Sequence, residues 1–122
     1  MKRVLIVEDN PALQKIYVTL LSKEGYNVAF VSDGKQALEK ATAEPPDLIL
    51  LDMMMPNLDG VGFLRAYDLK NKHPDVKVMV FSNTEVPAKV KEAMELGAIR
   101  YLTKYNFTPK DMVAAIRGVL GG

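Results

Sequence analysis

The chain has 122 residues, 48% apolar and 25% charged, the proportions of one soluble globular domain with one core. Lys and Arg number 16 against 15 Asp and Glu, a formal net charge of +1, which argues against bulk electrostatic binding to nucleic acid or to an anionic membrane. With no cysteine and one histidine, disulfide frameworks, thiolate zinc sites, cysteine nucleophiles and His-rich metal sites are excluded.

The first element is the apolar run Val4-Leu5-Ile6-Val7, too short for a signal-peptide core or a membrane span. It reads as a strand buried on both faces, the habit of a parallel sheet covered by helices. Asn10 then caps a helix and Pro11 fits its first turn, where no N–H is needed. Leu13, Ile16, Tyr17, Leu20 and Leu21 recur at helical spacing, and Gly25 ends the helix in the left-handed conformation.

Asn27–Val31 is the second strand, followed by an Asp33-Gly34 turn and a helix with Ala37, Leu38 and Ala41 on one face, ended by Pro45-Pro46. Leu48-Ile49-Leu50-Leu51 is the third strand. An irregular loop leads from it to a helix carrying Val61, Leu64 and Tyr67 that closes near Pro74. Val78-Met79-Val80-Phe81 is the fourth strand, and Val86, Val90, Ala93 and Met94 form the apolar stripe of the next helix, which Gly97 ends. Ala98–Leu102 is the fifth strand. Thr108-Pro109-Lys110-Asp111 reads as a capping box opening a last helix with Met112, Val113, Ile116, Val119 and Leu120.

The pattern is βα repeated five times, from which a single α/β domain over residues 1–122 is expected, with no linker and no further domain. Right-handed crossovers place helices on both faces of a five-stranded parallel sheet. In such a sheet the ligand chemistry lies beyond the carboxyl ends of the strands. The residues there are Glu8 and Asp9, Asp52, Ser82 and Asn83, and Lys104.

Taken singly, each has an ordinary reading. Glu8-Asp9 are acids at a helix N-terminus, Asp52 forms a turn, Ser82 caps a helix and Lys104 is a solvated lysine. Their joint placement is the signal. Three carboxylates on one rim repel, and a hard divalent cation relieves that cost, Mg²⁺ where phosphate is also bound. The set describes a phosphoryl group between Mg²⁺, Lys104 and Ser82, with Asp52, ending the central and most apolar strand, as nucleophile. Without metal the crowded carboxylates are expected to strain the fold.

These segments resemble the receiver domain of two-component response regulators. The resemblance spans essentially the whole chain and rests on residues 4–10, 46–56, Asp59-Gly60, 80–82 and 97–104 taken together. It implies a doubly wound, flavodoxin-like (βα)5 sandwich of strand order 2-1-3-4-5. It implies Asp52 as phosphoacceptor, and Glu8, Asp9, Asp52 and the backbone carbonyl of Met54 as Mg²⁺ ligands. Ser82 resembles the hydroxyl that bonds the phosphoryl group, Lys104 the lysine that pairs with it, and Tyr101 the aromatic switch. The implied donor is a sensor histidine kinase or phosphotransfer protein. The implied output is altered affinity of the surface of the fourth helix, fifth strand and fifth helix for a downstream protein. No membrane or direct nucleic-acid partner is expected, the compartment is the cytoplasm, and the assembly is a monomer or a weak phosphorylation-dependent dimer.

The chain departs from the family pattern at Tyr105, where proline usually follows the lysine; a trans bond is expected, since a cis non-proline bond costs ~2.5–4 kcal/mol. Asn83 stands where the family has a small residue. Met54 and Thr84, two residues after Asp52 and Ser82, carry no charge, so a long-lived phosphoryl group is expected. Three other functions compete. A degenerate receiver would bind partners without phosphorylation. A nucleotide- or flavin-binding enzyme needs a Gly-rich phosphate loop where Glu8-Asp9-Asn10-Pro11 stands. A haloacid-dehalogenase-type phosphatase needs a second acid at Met54.

Overall fold

Five parallel strands, β1 (Arg3–Val7), β2 (Asn27–Val31), β3 (Leu48–Leu51), β4 (Lys77–Ser82) and β5 (Arg100–Thr103), pair in the order β2-β1-β3-β4-β5. The structure is a computed structural model and describes residues 1–83 and 86–121. Helices α1 (Pro11–Lys23), α2 (Gly34–Ala43), α3 (Gly60–Tyr67), α4 (Leu69–Lys72), α5 (Pro87–Glu95) and α6 (Pro109–Leu120) fill the connections. None of the described helices is long and apolar enough to cross a membrane.

The period of two along each strand builds two cores from one sheet. Leu5, Val7, Ile49, Leu51, Val78 and Val80 face α2, α3 and α5, meeting Ala37, Ala41, Phe63, Leu64 and Ala93. Val4, Ile6, Leu48, Leu50, Met79 and Phe81 face α1 and α6, meeting Tyr17, Leu21, Met112, Val113 and Ile116. Each such aliphatic side chain contributes about 1.5–3 kcal/mol when fully withdrawn from water. That burial holds the central strands, and hence their carboxyl ends, in fixed register.

The local signals act as their chemistry predicts. Asn10 Oδ1 accepts from the Ala12 and Leu13 N–H groups at 2.9 and 3.1 Å. The Thr108 and Asp111 side chains cap reciprocally, and Gly25 and Gly97 take φ of +92° and +114°. The expected trans bond after Lys104 is present, since no peptide bond among the described residues is cis.

Four details differ from expectation. The third helical segment breaks at Asp68, which adopts a left-handed φ of 54° and accepts a side-chain hydrogen bond from Asn71; α3 stops there and a single turn, α4, follows. The helices expected fourth and fifth are therefore α5 and α6. β5 begins at Arg100 rather than Ala98, because the Ala98 N–H closes α5 by bonding to the Ala93 carbonyl. On α1, Ile16 is exposed while Gln14 is buried. On the α5 stripe Ala93 is buried, whereas Val86 and Met94 are exposed.

Candidate functional site

Ladder hydrogen bonds continue past the strand ends. The Asp52 N–H donates to the Val7 carbonyl at 3.1 Å, the Glu8 N–H to Val31 at 3.2 Å and the Lys104 N–H to Ser82 at 2.9 Å. The polar side chains that follow the apolar runs are thus mounted on backbone as fixed as the sheet itself.

Asp52 is only 7% exposed. Its Oδ1 accepts from Ser82 Oγ at 2.9 Å and from the Met54 N–H at 3.0 Å. Its Oδ2 lies 3.0 Å from Lys104 Nζ. Ser82 is fully buried and accepts from the Met53 N–H at 3.3 Å. Glu8 is also buried; one oxygen lies 2.5 Å from Lys104 Nζ and the other accepts from the Asn10 N–H at 3.1 Å. Asp9 is exposed at the rim. Glu8, Asp9 and Asp52 each present an oxygen within 4.8 Å of those of the other two.

Burial pushes the Glu8 carboxyl above the usual range, because desolvation there outweighs the hydrogen bond and charge of Lys104. Burial also acts to depress Lys104, but the hydrogen bond it donates to Glu8 and the charges of Asp52 and Glu8 outweigh it and raise its pKa, so the ammonium stays charged. Tyr17, in the core below, is pushed up to about 12 chiefly by burial.

The donor set is all oxygen and anionic. It suits a hard divalent ion of the Mg²⁺ kind and offers nothing to a thiophilic metal. The expected crowding is real, since three carboxylates converge, but one ammonium already sits among them.

The remaining expected residues are placed as follows. Met54, two residues after Asp52, is 64% exposed. Tyr101 is half-buried on β5 and packs against the core under α5. Its register partner is Val80, so by strand alternation Tyr101 shares a sheet face with Ser82. Asn83 is exposed, and Thr84 lies outside the described residues.

Two supports had no sequence signal of their own. Gln14 Nε2 donates to the Glu8 carbonyl at 2.9 Å and to the Val31 carbonyl at 3.2 Å, tying α1 to the ends of β1 and β2. Asn57, in the loop after Asp52, has a φ of 68° and donates to Asp33 at 2.8 Å. It lies in the irregular loop expected after the third strand, and nothing in that segment marks its partner 24 residues away.

The sequence model of the response regulator receiver domain matches residues 4–117. A probable transcriptional regulator, ycf27, of Guillardia theta is 40% identical over 119 residues, covering 98% of this chain and 45% of the relative. The chain spans about half the length of the curated relatives it matches. A CheY-like response regulator receiver domain protein from Methanospirillum hungatei superposes with a TM-score of 0.89 at 27% identity, covering 98% of this chain and 94% of that one. The receiver domain of the sensor histidine kinase PA1611 from Pseudomonas aeruginosa, which holds a magnesium ion in its active-site cleft, gives a TM-score of 0.84 at 27% identity, covering 99% and 98%. With its 2-1-3-4-5 parallel sheet and a family match running almost end to end, the chain belongs to the response regulator receiver domain family.

Proposed function

We propose that this chain is a phosphoacceptor: Asp52 takes a phosphoryl group from the phosphohistidine of a partner kinase or phosphotransfer protein, and the product changes the affinity of the α5-β5-α6 surface for a downstream protein. The observation that carries the reading is the shared hold on Asp52. Ser82 Oγ and the Met54 N–H fix one oxygen and Lys104 the other, within reach of two further carboxylates.

Glu8, Asp9, Asp52 and the Met54 carbonyl would hold Mg²⁺, which supplies positive charge against the transferring phosphoryl oxygens. The P–N bond to the donor imidazole breaks as a P–O bond forms to an Asp52 carboxylate oxygen. The fixed backbone at residue 52 supplies the alignment such an in-line step needs. Lys104, held between Glu8 and Asp52, turns its ammonium to the incoming phosphoryl oxygens. The aspartyl phosphate then offers new acceptor oxygens to Ser82. As Ser82 moves toward them, Tyr101 on the same sheet face gains space and couples the site to α5. The exposed Val86, Met94 and Ile99 give that side apolar area for a partner. Met54 presents neither charge nor amide to align a hydrolytic water, which supports a long-lived phosphoryl group.

Intact-mass measurement after treatment with acetyl phosphate tests this. One phosphoryl group is expected with Mg²⁺ and none with EDTA or in Asp52→Asn; an unmodified wild type overturns the reading.

A degenerate receiver acting by binding alone is the second reading, and Tyr105 in the proline position is the observation behind it. Lys104 nonetheless reaches Asp52 at 3.0 Å with a trans bond following it, which favours the active form.

A further inference from the structure

The loop between β3 and α3 carries two of the four proposed cation ligands, the Asp52 carboxylate and the Met54 carbonyl. Its base is held to the end of β4 and its two ends to each other. The Met53 N–H donates to Ser82 Oγ, and the Gly60 N–H donates to the Met53 carbonyl at 3.0 Å. Its tip is held from another part of the fold. Asn57 Nδ2 donates to Asp33 Oδ2 at 2.8 Å, while Asp33 Oδ1 accepts from the Gln36 N–H at 2.7 Å and caps α2. Both carboxylate oxygens are therefore committed, one to the helix and one to the loop.

The mount is stiff on the helix side. Ala37 and Ala41 of α2 are fully buried against the sheet. The contact is also close. A Cβ on Gly34 would lie 2.0 Å from the Leu58 carbonyl oxygen and 2.8 Å from its carbon, so the absence of a side chain there lets the loop rest on the start of α2. Asn57 takes the left-handed conformation that its short amide side chain tolerates, which turns that amide to Asp33.

Resting on the reading that this site binds Mg²⁺, we propose that Asp33 and Asn57 are positioning residues for the cation. Their hydrogen bond, with the Gly34–Leu58 abutment, clamps the loop so that Asp52 and Met54 are presented together to the ion that Asp9 and Glu8 share. Neither side chain would touch the metal. Both act through the loop, as partners behind metal ligands commonly do.

Three variants separate this from a purely structural role. Asn57→Gly keeps the left-handed backbone without strain and deletes only the donor. Asp33→Asn keeps an oxygen for the α2 cap but sets an amide donor against the Asn57 donor. The Asp33→Asn/Asn57→Asp double variant reverses donor and acceptor, restoring the bond at unchanged net charge. Calorimetric titration with MgCl₂ alone, beside thermal melts in EDTA, reads affinity and fold stability separately.

Each single variant is expected to bind Mg²⁺ roughly tenfold more weakly, and the double variant to return to the wild-type affinity. Equal affinity in wild type and both single variants, or a double variant no better than the singles, overturns the clamp while leaving the metal site standing. Lower melting temperatures in EDTA with unchanged Mg²⁺ affinity also overturn it. A wild type that takes up no Mg²⁺ overturns the site reading and the clamp with it.

Discussion

Lys104 Nζ lies closer to Glu8, at 2.5 Å, than to Asp52, at 3.0 Å. The lysine side chain is 11% exposed and the two carboxylates less, so this is a desolvated bridge and not a surface ion pair. One ammonium compensates the two buried carboxylates, while Asp9 faces solvent.

Removing that ammonium leaves two buried carboxylates facing each other. Lys104→Met is expected to lower stability in EDTA by about 3 kcal/mol. Saturating Mg²⁺ should return part of the loss, since an ion that binds only the folded form stabilises it by mass action. Urea titration with and without Mg²⁺ measures both. A variant as stable as wild type in EDTA would show that Lys104 does not hold the carboxylates together.

The carboxylates remain in excess of the one cation among them. Asp52→Asn removes a buried negative charge and keeps an oxygen for Ser82. It should raise the melting temperature in EDTA by a few degrees, on the order of 1 kcal/mol. Asp9→Ala, at an exposed position, should raise it less. Both should lose the stabilisation that Mg²⁺ gives the wild type. If both melt below wild type in EDTA, the repulsion is already spent on Lys104.

What the sequence discloses here follows from how each signal arises. Strand burial is written in Val4–Val7, Leu48–Leu51 and Val78–Phe81 because both faces are covered and no polar residue interrupts those runs. Glu8, Asp52 and Ser82 are legible because a polar residue directly after such a run has a position fixed by topology, and Lys104 because it follows the fifth expected strand. The α3 break at Asp68 was not, since the apolar spacing runs through it and only a local side-chain bond marks the left-handed turn. The exchange of Gln14 for Ile16 on the inner face of α1 was hidden because Gln14 is held by two backbone carbonyls from other strands. The same is true of Asn57: a contact made by convergence leaves no trace in either segment alone.

The Asp33 carboxyl is held below the ordinary aspartate value, first by the Gln36 N–H and then by Asn57. Its ionised form therefore contributes stability that is fully present above the unfolded value near ~3.9 and is lost as pH falls through the lower folded value. The stability gap between wild type and Asp33→Asn should be constant from pH 7 to about 5 and close steadily below about 4. Denaturant titrations across that range give the gap directly. A gap that widens with acid has the wrong sign for this account.

Gly34→Ala is expected to destabilise the fold, because its Cβ meets backbone and not a flexible side chain. Overpacking of this kind costs about 1–3 kcal/mol. Gly118, whose Cβ would meet nothing within 4 Å, is the control. Gly118→Ala should leave stability unchanged or raise it by the ~1 kcal/mol of helix propensity. Thermal melts of the pair measure what the close α2–loop abutment contributes.

Ser82 joins the two halves of the proposed mechanism and allows them to be separated. Its hydroxyl donates to Asp52 and accepts from the Met53 N–H while fully buried. Ser82→Ala leaves that N–H without this acceptor, a cost of about 1–3 kcal/mol. The nucleophile, the acidic residues and Lys104 all remain, so acetyl phosphate with Mg²⁺ should still add one phosphoryl group. What should be lost is the coupling, because a switch responds only through contacts that differ between its two states. The Tyr101 ring resonances should shift on phosphorylation of wild type and stay nearly still in Ser82→Ala. A phosphorylated Ser82→Ala whose Tyr101 signals move as far as those of wild type would remove Ser82 from the path between Asp52 and α5.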